Sequence, residues 1–160
     1  MTSEAWVLPD AEAWARRTLF QTLIGADARQ KLEQGCMLSL LFADDAQLRD
    51  LNLRFRGKDK PTNVLSFPAL ALPRGQEVDV LGDIAFALET IRAEAVESGK
   101  PFSHYLTHLL VHGILHLIGH THEGDDEAER MRVIEVAVLR TLGLPDPYAE
   151  PVHERQAGAA

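Results

Sequence analysis

The sequence predicts a single α+β domain with a four-stranded mixed sheet and about five helices. Three observations lead to this fold class. The chain has 160 residues, the size of one compact domain. Four short apolar segments of strand length are separated by helical segments, and helices then follow one another in series, which is typical of α+β layers. We predict that residues 1–147 form the domain and that 148–160, rich in Pro, Ala and charged residues, form a disordered tail.

The first part of the chain predicts two strands and the helix between them. Residues 4–8 have the length and apolar content of a short strand, which ends at a proline. Asp10 can then cap a helix whose apolar residues, from Trp14 to Ile24, have amphipathic spacing. Residues 36–43 are a compact apolar run between a glycine and two aspartates, as expected of a buried strand.

The middle of the chain predicts a helix, a charged loop and two further strands. Asp44 or Asp45 can cap the helix, and the loop that follows it spans 57–62. The two strands cover residues 64–67 and 81–86, and a loop containing proline and glycine joins them.

Three more helices complete the prediction. One spans about 87–98, and the next begins near Pro101, where the missing N–H of proline is tolerated. This second helix is apolar on most sides, so we expect it to be central and buried. The last helix begins near 126–129, which resembles a capping box, and ends before Pro145.

Composition limits the function classes. The net charge is −8, so the chain does not bind nucleic acid over its whole surface. Cys36 is the only cysteine, which excludes an intrachain disulfide and a cysteine zinc site. No apolar run approaches the roughly 20 residues of a membrane span, and the N-terminus has an acid where a signal peptide has basic residues. We expect a cytoplasmic protein without a membrane partner.

One segment has the opposite charge to the rest of the chain. Between Arg49 and Lys60 there are five basic residues and two acidic ones. Such a segment can bind RNA locally on an acidic protein, although the charge alone is more typical of a solvated loop.

Six of the seven histidines lie between His104 and His122, along the central helix and just after it. Five of them, from His104 to His120, recur every four residues. This spacing drifts by about 40° per step on a helix, so all five cannot face one ion. The pair His112 and His116 is best placed, because Gly119 can end the helix and turn the chain back. Spacing leaves His120 and His122 as alternative third ligands.

Three neutral imidazoles and one open position are typical of a catalytic rather than a structural zinc. Zincin peptidases have a glutamate directly after the first histidine as general base, whereas this chain has Gly113. The glycine argues against proteolysis. Phosphodiester cleavage instead needs cations beside the phosphate, for which a planar guanidinium is well suited, and the basic segment supplies candidates.

These motifs together resemble those of the bacterial YbeY family, rRNA maturation factors described as single-strand-specific metallo-endoribonucleases. The resemblance covers roughly residues 36–148 in the family's order. The segments that carry it are Asn52, Arg56–Pro68, Leu81–Ile84, Gly99–Pro101, His104–His108, His112–His122 and Asp125–Glu129.

The resemblance implies one zinc ion per chain, bound by His112, His116 and His122, and a role for Arg56 at the scissile phosphate. It also implies single-stranded ribosomal RNA as substrate, in maturation of the 3′ end of the small-subunit rRNA and in late ribosome quality control. The expected partners are therefore RNA and the small ribosomal subunit, and no DNA. One departure is Thr121, where the family usually has an acid before the last histidine.

Three other functions stay open at this level. A non-catalytic ribosome assembly factor with structural zinc needs a fourth protein ligand, for which His120 or Glu123 is available. A metallopeptidase needs a carboxylate base from outside the helical motif. A metal-free binding protein would be indifferent to chelators.

Overall fold

The computed structural model describes residues 10–60, 62–68, 79–121 and 123–149. These residues form one α+β unit of six helices and one sheet. The helices are α1 (Ala11–Gly25), α2 (Arg29–Gln34), α3 (Asp45–Arg56), α4 (Leu88–Glu97), α5 (Phe102–Leu117) and α6 (Asp125–Thr141). The strands are β1 (Cys36–Ala43), β2 (Val64–Pro68) and β3 (Asp79–Ala87).

The sheet is mixed, as predicted, and its order is β1-β3-β2. β3 pairs in parallel with β1 and antiparallel with β2, so it is the central strand. Ser66 of β2 lies opposite Ile84 of β3. The described residues form three strands rather than the four predicted, because the segment expected as the first strand, 4–8, lies outside them. The predicted loop between β2 and β3 also falls mostly on residues that are not described.

The helices differ from the prediction in number and in their capping. α2 is additional to the five predicted helices, and Asp27, at φ 57°, turns the chain between α1 and α2. Asp44 caps α3 as predicted, and it forms a reciprocal capping box with Gln47. The capping predictions for the first and last helices are wrong. Asp10 makes no side-chain cap bond, and α6 begins after Gly124, which has no side chain to offer.

α5 is central because its two sides are covered by different elements. Its residues Leu110 and Ile114 belong to the core formed with β3, which includes the fully buried Ile84. Its residues Val111 and Leu115 pack instead with the apolar side of α6. The remaining stripe of α5 contains the histidines. None of the helices in the described part of the chain is long and apolar enough to cross a lipid bilayer.

Candidate metal centre and the adjoining basic edge

The last two turns of α5 bring two histidine rings together. His112 and His116 are four residues apart, and their Nε2 atoms are 3.0 Å apart. Two nitrogens that each lie about 2.0–2.1 Å from one tetrahedral ion are separated by about 3.3 Å. The two rings therefore converge on one point at close to the separation that a shared metal ion requires.

Glu135 of α6 contacts one member of this pair, His112, from behind. Its carboxylate Oε2 lies 3.2 Å from Nδ1 of His112, and its Oε1 lies 2.7 Å from Nε2 of His108. Burial raises the pKa of the Glu135 carboxyl, but hydrogen bonds from His108, His112 and Tyr148 outweigh that effect and hold the pKa well below its usual range. A carboxylate that accepts a hydrogen bond from the Nδ1–H of His112 favours the tautomer with a free lone pair on Nε2, where a metal ligand needs it.

His108 and Tyr148 complete the set of groups around Glu135. His108 directs its Nε2 to Glu135 rather than toward the pair, as expected for a hydrogen-bonding residue rather than a ligand. Its buried Nδ1 has no hydrogen-bond partner among the described residues. The hydroxyl of Tyr148 donates to Oε1 of Glu135 at 2.5 Å, and Arg132 lies 4.6 Å from the centre of the tyrosine ring. The segment after α6 thus covers the carboxylate.

Sequence reasoning missed Glu135, although a signal was present. On an amphipathic helix, an acid in the same stripe as Met131 and Val138 occupies a core position. Glu135 is only 1% exposed. A buried acid on a helix that packs against a histidine helix is a good candidate for a hydrogen-bonding partner of a metal ligand.

The turn after α5 has the predicted glycine. Gly119 adopts φ 104°, in the region that favours glycine, and His120 donates its backbone N–H to the carbonyl of Leu115. The Thr121 hydroxyl donates to the carboxylate of Glu127 in the first turn of α6. His122 lies outside the described residues, and the described residues contain no set of three side chains that could hold a metal ion. His120 lines a groove of about 510 Å³ on α6.

Gly113 is in contact with the sheet. A Cβ atom at this position would lie 2.9 Å from Cδ1 of the fully buried Ile84 and 3.1 Å from Oγ of Ser66. The position that carries the general base of zincin peptidases therefore faces the packed interior. A glutamate there would have to displace the side chains of Ile84 and Ser66.

Arg56 connects the end of α3 to β2, the edge strand of the sheet that the described residues form. Its Nη2 donates to the backbone carbonyl of Ser66 at 3.1 Å, and the Ser66 side chain lies against Gly113, next to His112 in the chain. Arg56, Lys58 and Lys60 line a cavity of about 410 Å³ between α3, β2 and α4. We call this region, residues 55–60 with the edge of β2, the basic edge.

The base of that cavity is held by a second carboxylate. Oε1 of Glu94 accepts hydrogen bonds from the Asn63 side chain and from the Tyr105 hydroxyl, both at 2.8 Å. Burial, together with the hydrogen bond to Glu94, raises the pKa of Tyr105 to about 12. Asn52 further fixes the loop by donating to the carbonyl of Lys60 at 2.9 Å.

Comparison with known proteins supplies the family. The family model described as Endoribonuclease YbeY matches residues 9–143. A Rhodopseudomonas palustris protein named endoribonuclease YbeY is 52% identical over 143 residues, which are 87% of this chain and 75% of the relative. A Bradyrhizobium protein of the same name is 50% identical over 147 residues, 89% of this chain and 85% of the relative.

A solved structure supports the fold alone. The solution structure of a Thermotoga maritima protein matches with a TM-score of 0.53 at 21% identity, and the match covers 89% of this chain and 93% of that one. The family model spans most of the domain, and the relatives are about half identical over most of the chain. This chain belongs to the endoribonuclease YbeY family.

Proposed function

We propose that this protein is a cytoplasmic, zinc-dependent endoribonuclease that cleaves single-stranded regions of ribosomal RNA on or near the small ribosomal subunit. Its tasks are maturation of the 3′ end of the small-subunit rRNA and late ribosome quality control. The observation that carries the proposal is the convergence of the His112 and His116 Nε2 atoms, 3.0 Å apart, in a member of this family.

His112, His116 and His122 are the residues that would hold one zinc ion. When bound, zinc supplies a Lewis acid and a water that is activated at neutral pH. The imidazole donor set suits zinc, and the buried Glu135 fixes the tautomer of His112 that offers Nε2.

Arg56 is the residue that would stabilise charge on the scissile phosphate. Its guanidinium is planar and keeps its charge at any physiological pH, so it can donate two parallel hydrogen bonds to phosphate oxygens. One contact, from Nη2 to the Ser66 carbonyl, already orients the group. The other guanidinium N–H groups are then available to the substrate.

Two alternatives have less support. A structural zinc in a non-catalytic assembly factor requires a fourth protein ligand, yet His120 lines the groove on α6 and Glu123 is exposed. A metallopeptidase requires a base near the pair, and the packing of Gly113 against Ile84 excludes the usual position for one.

The decisive experiment compares metal content and RNA cleavage in four untagged proteins. His116→Ala should lose both the metal and cleavage. Arg56→Ala should keep the metal and cleave about 10²- to 10³-fold more slowly, because a charge-stabilising donor is lost. Arg54→Ala is the matched control, since Arg54 is an exposed arginine of the same helix turn paired with Asp50, and it should behave like wild type. Wild-type cleavage rates in Arg56→Ala would refute the role of Arg56, and a metal-loaded wild type without activity would favour the assembly factor.

A further inference from the structure

Next to Arg56 lies an aromatic pair in which Phe67 packs against the core and Phe55 is largely outside it. The Phe55 ring is 65% exposed, and its centre is 5.3 Å from that of Phe67 in a nearly perpendicular arrangement. A phenylalanine that is two-thirds in water contributes little to folding, so its exposed face is available for a ligand.

The aromatic pair and Arg56 both connect α3 to β2. Phe55 precedes Arg56 in the last turn of α3, and Phe67 follows Ser66 in β2. The Phe55–Phe67 contact and the Arg56–Ser66 hydrogen bond therefore lie side by side along the edge strand. A ligand that places a phosphate at the guanidinium would bring its neighbouring groups onto the rings.

The positive charge around the aromatic pair indicates which class of ligand fits it. The chain as a whole has a net charge of −8, but Lys58 and Lys60 line the cavity on which Arg56 borders. An exposed aromatic surface beside a cationic groove is the combination that binds single-stranded nucleic acid, where bases stack on the rings and phosphates follow the cations. An apolar protein surface would use the rings but not the cations.

We propose that the Phe55–Phe67 pair stacks an unpaired base of the RNA substrate beside the phosphate at Arg56. This inference rests on the proposed function, because it assigns a substrate-positioning residue to the same site. In a duplex the bases are already stacked on one another, so the pair also selects for single strands.

The test measures binding and cleavage of an unstructured oligouridylate of about 12 nucleotides, a length within the range of single-strand sites. Phe55→Leu keeps the apolar volume but removes the aromatic face, and it should weaken binding roughly tenfold, within the range for loss of one stacked base. KM should rise by a similar factor while kcat at saturating RNA stays within about twofold. Phe55→Trp should bind at least as tightly as wild type, with quenching of the new indole.

Two controls isolate stacking. Val96→Ala, at an 81% exposed position on α4, should leave binding unchanged. An abasic ribose-phosphate strand of equal length should bind wild type and Phe55→Leu equally. Wild-type affinity in Phe55→Leu, or an equal loss for the abasic strand, would overturn the proposal even if the wild type cleaves RNA. If Phe55→Leu lost binding to ribosomal subunits but bound free RNA like the wild type, that result would also overturn the proposal, in favour of a contact between Phe55 and a protein. A wild type that neither binds nor cleaves RNA would overturn both proposals.

Discussion

The histidine pair and the basic edge are each supported by a carboxylate, but the two carboxylates differ in burial and in the number of groups that they bind. Glu135 is buried and engages His108, His112 and Tyr148 through both of its oxygens. Glu94 is partly exposed and uses one oxygen to hold Asn63 and Tyr105. The first carboxylate touches a candidate ligand directly, whereas the second supports only the floor of a cavity.

This difference matches the different requirements of a metal site and of a surface that binds a flexible polyanion. A metal site gains affinity when the ligand rings are fixed in advance by packing and hydrogen bonds, and Glu135 provides that constraint. The basic edge meets a flexible polyanion, and its cationic side chains extend into solvent, where they can adapt to it. The Arg56 side chain also donates a hydrogen bond to the protein, at the carbonyl of Ser66.

The largest expected effect comes from breaking the buried carboxylate network. Glu135→Ala should lower the free energy of unfolding by about 3 kcal/mol, because it removes the buried acceptor that the largely buried His108 and the more exposed His112 and Tyr148 share. Zinc affinity should fall by about 10- to 100-fold. Urea unfolding and a competitive metal titration measure the two effects.

Two conservative variants sharpen that result. Glu135→Gln keeps the volume and one acceptor, so it should lose zinc affinity with a smaller loss of stability than Glu135→Ala. Glu94→Gln, the equivalent change on the basic edge, should leave zinc affinity at the wild-type level. Equal zinc affinities in all three variants and the wild type would show that Glu135 does not orient His112.

The sequence predicted the parts of this site that follow local rules. Helical spacing identified His112 and His116 as a pair, and Gly119 identified the end of their helix. The capping pattern at Asp44 located the start of α3. Each of these features depends on residues within about one helical turn of one another.

The parts that failed depend on distant residues or on backbone geometry. Glu135 is 23 residues from His112, and only tertiary packing joins them. The break between α1 and α2 depends on the left-handed Asp27, which composition does not reveal. The role of Arg56 did not fail but stays a prediction that rests on the family resemblance, and its hydrogen bond to Ser66, ten residues later, gives a physical reason for its position.

A second prediction concerns the packing of α5 against the sheet, which joins the histidine pair to the basic edge. Gly113→Ala places a methyl group against Ile84 and Ser66. Overpacking costs about 1–3 kcal/mol, and the better helix propensity of alanine offsets up to about 1 kcal/mol of this. The free energy of unfolding should therefore fall by about 1 kcal/mol, and zinc affinity should fall less than in Glu135→Ala.

The matched control for this prediction is Gly124→Ala. Its added methyl group would meet no atom within 4 Å, and its φ of −108° suits any residue. It should cost about 0.5 kcal/mol, because glycine is a better N-cap than alanine. A Gly113→Ala variant as stable as Gly124→Ala would mean that α5 can move away from β2 without a penalty.

The smallest expected effect lies under the basic edge and depends on pH. Tyr105 keeps its proton in the folded protein up to about pH 12, whereas the unfolded chain loses it near the ordinary value of 10.0. The unfolded state therefore releases the proton first, and stability declines as the pH rises from about 10 to about 12. Because Tyr105 is partly exposed, we expect a change of no more than about 1 kcal/mol after solvent screening. Tyr105→Phe has no proton to lose there, so its urea midpoint should fall less between pH 9.5 and 11.5 than that of the wild type. An identical decline in both proteins would show that the hydroxyl of Tyr105 titrates as if it were in water.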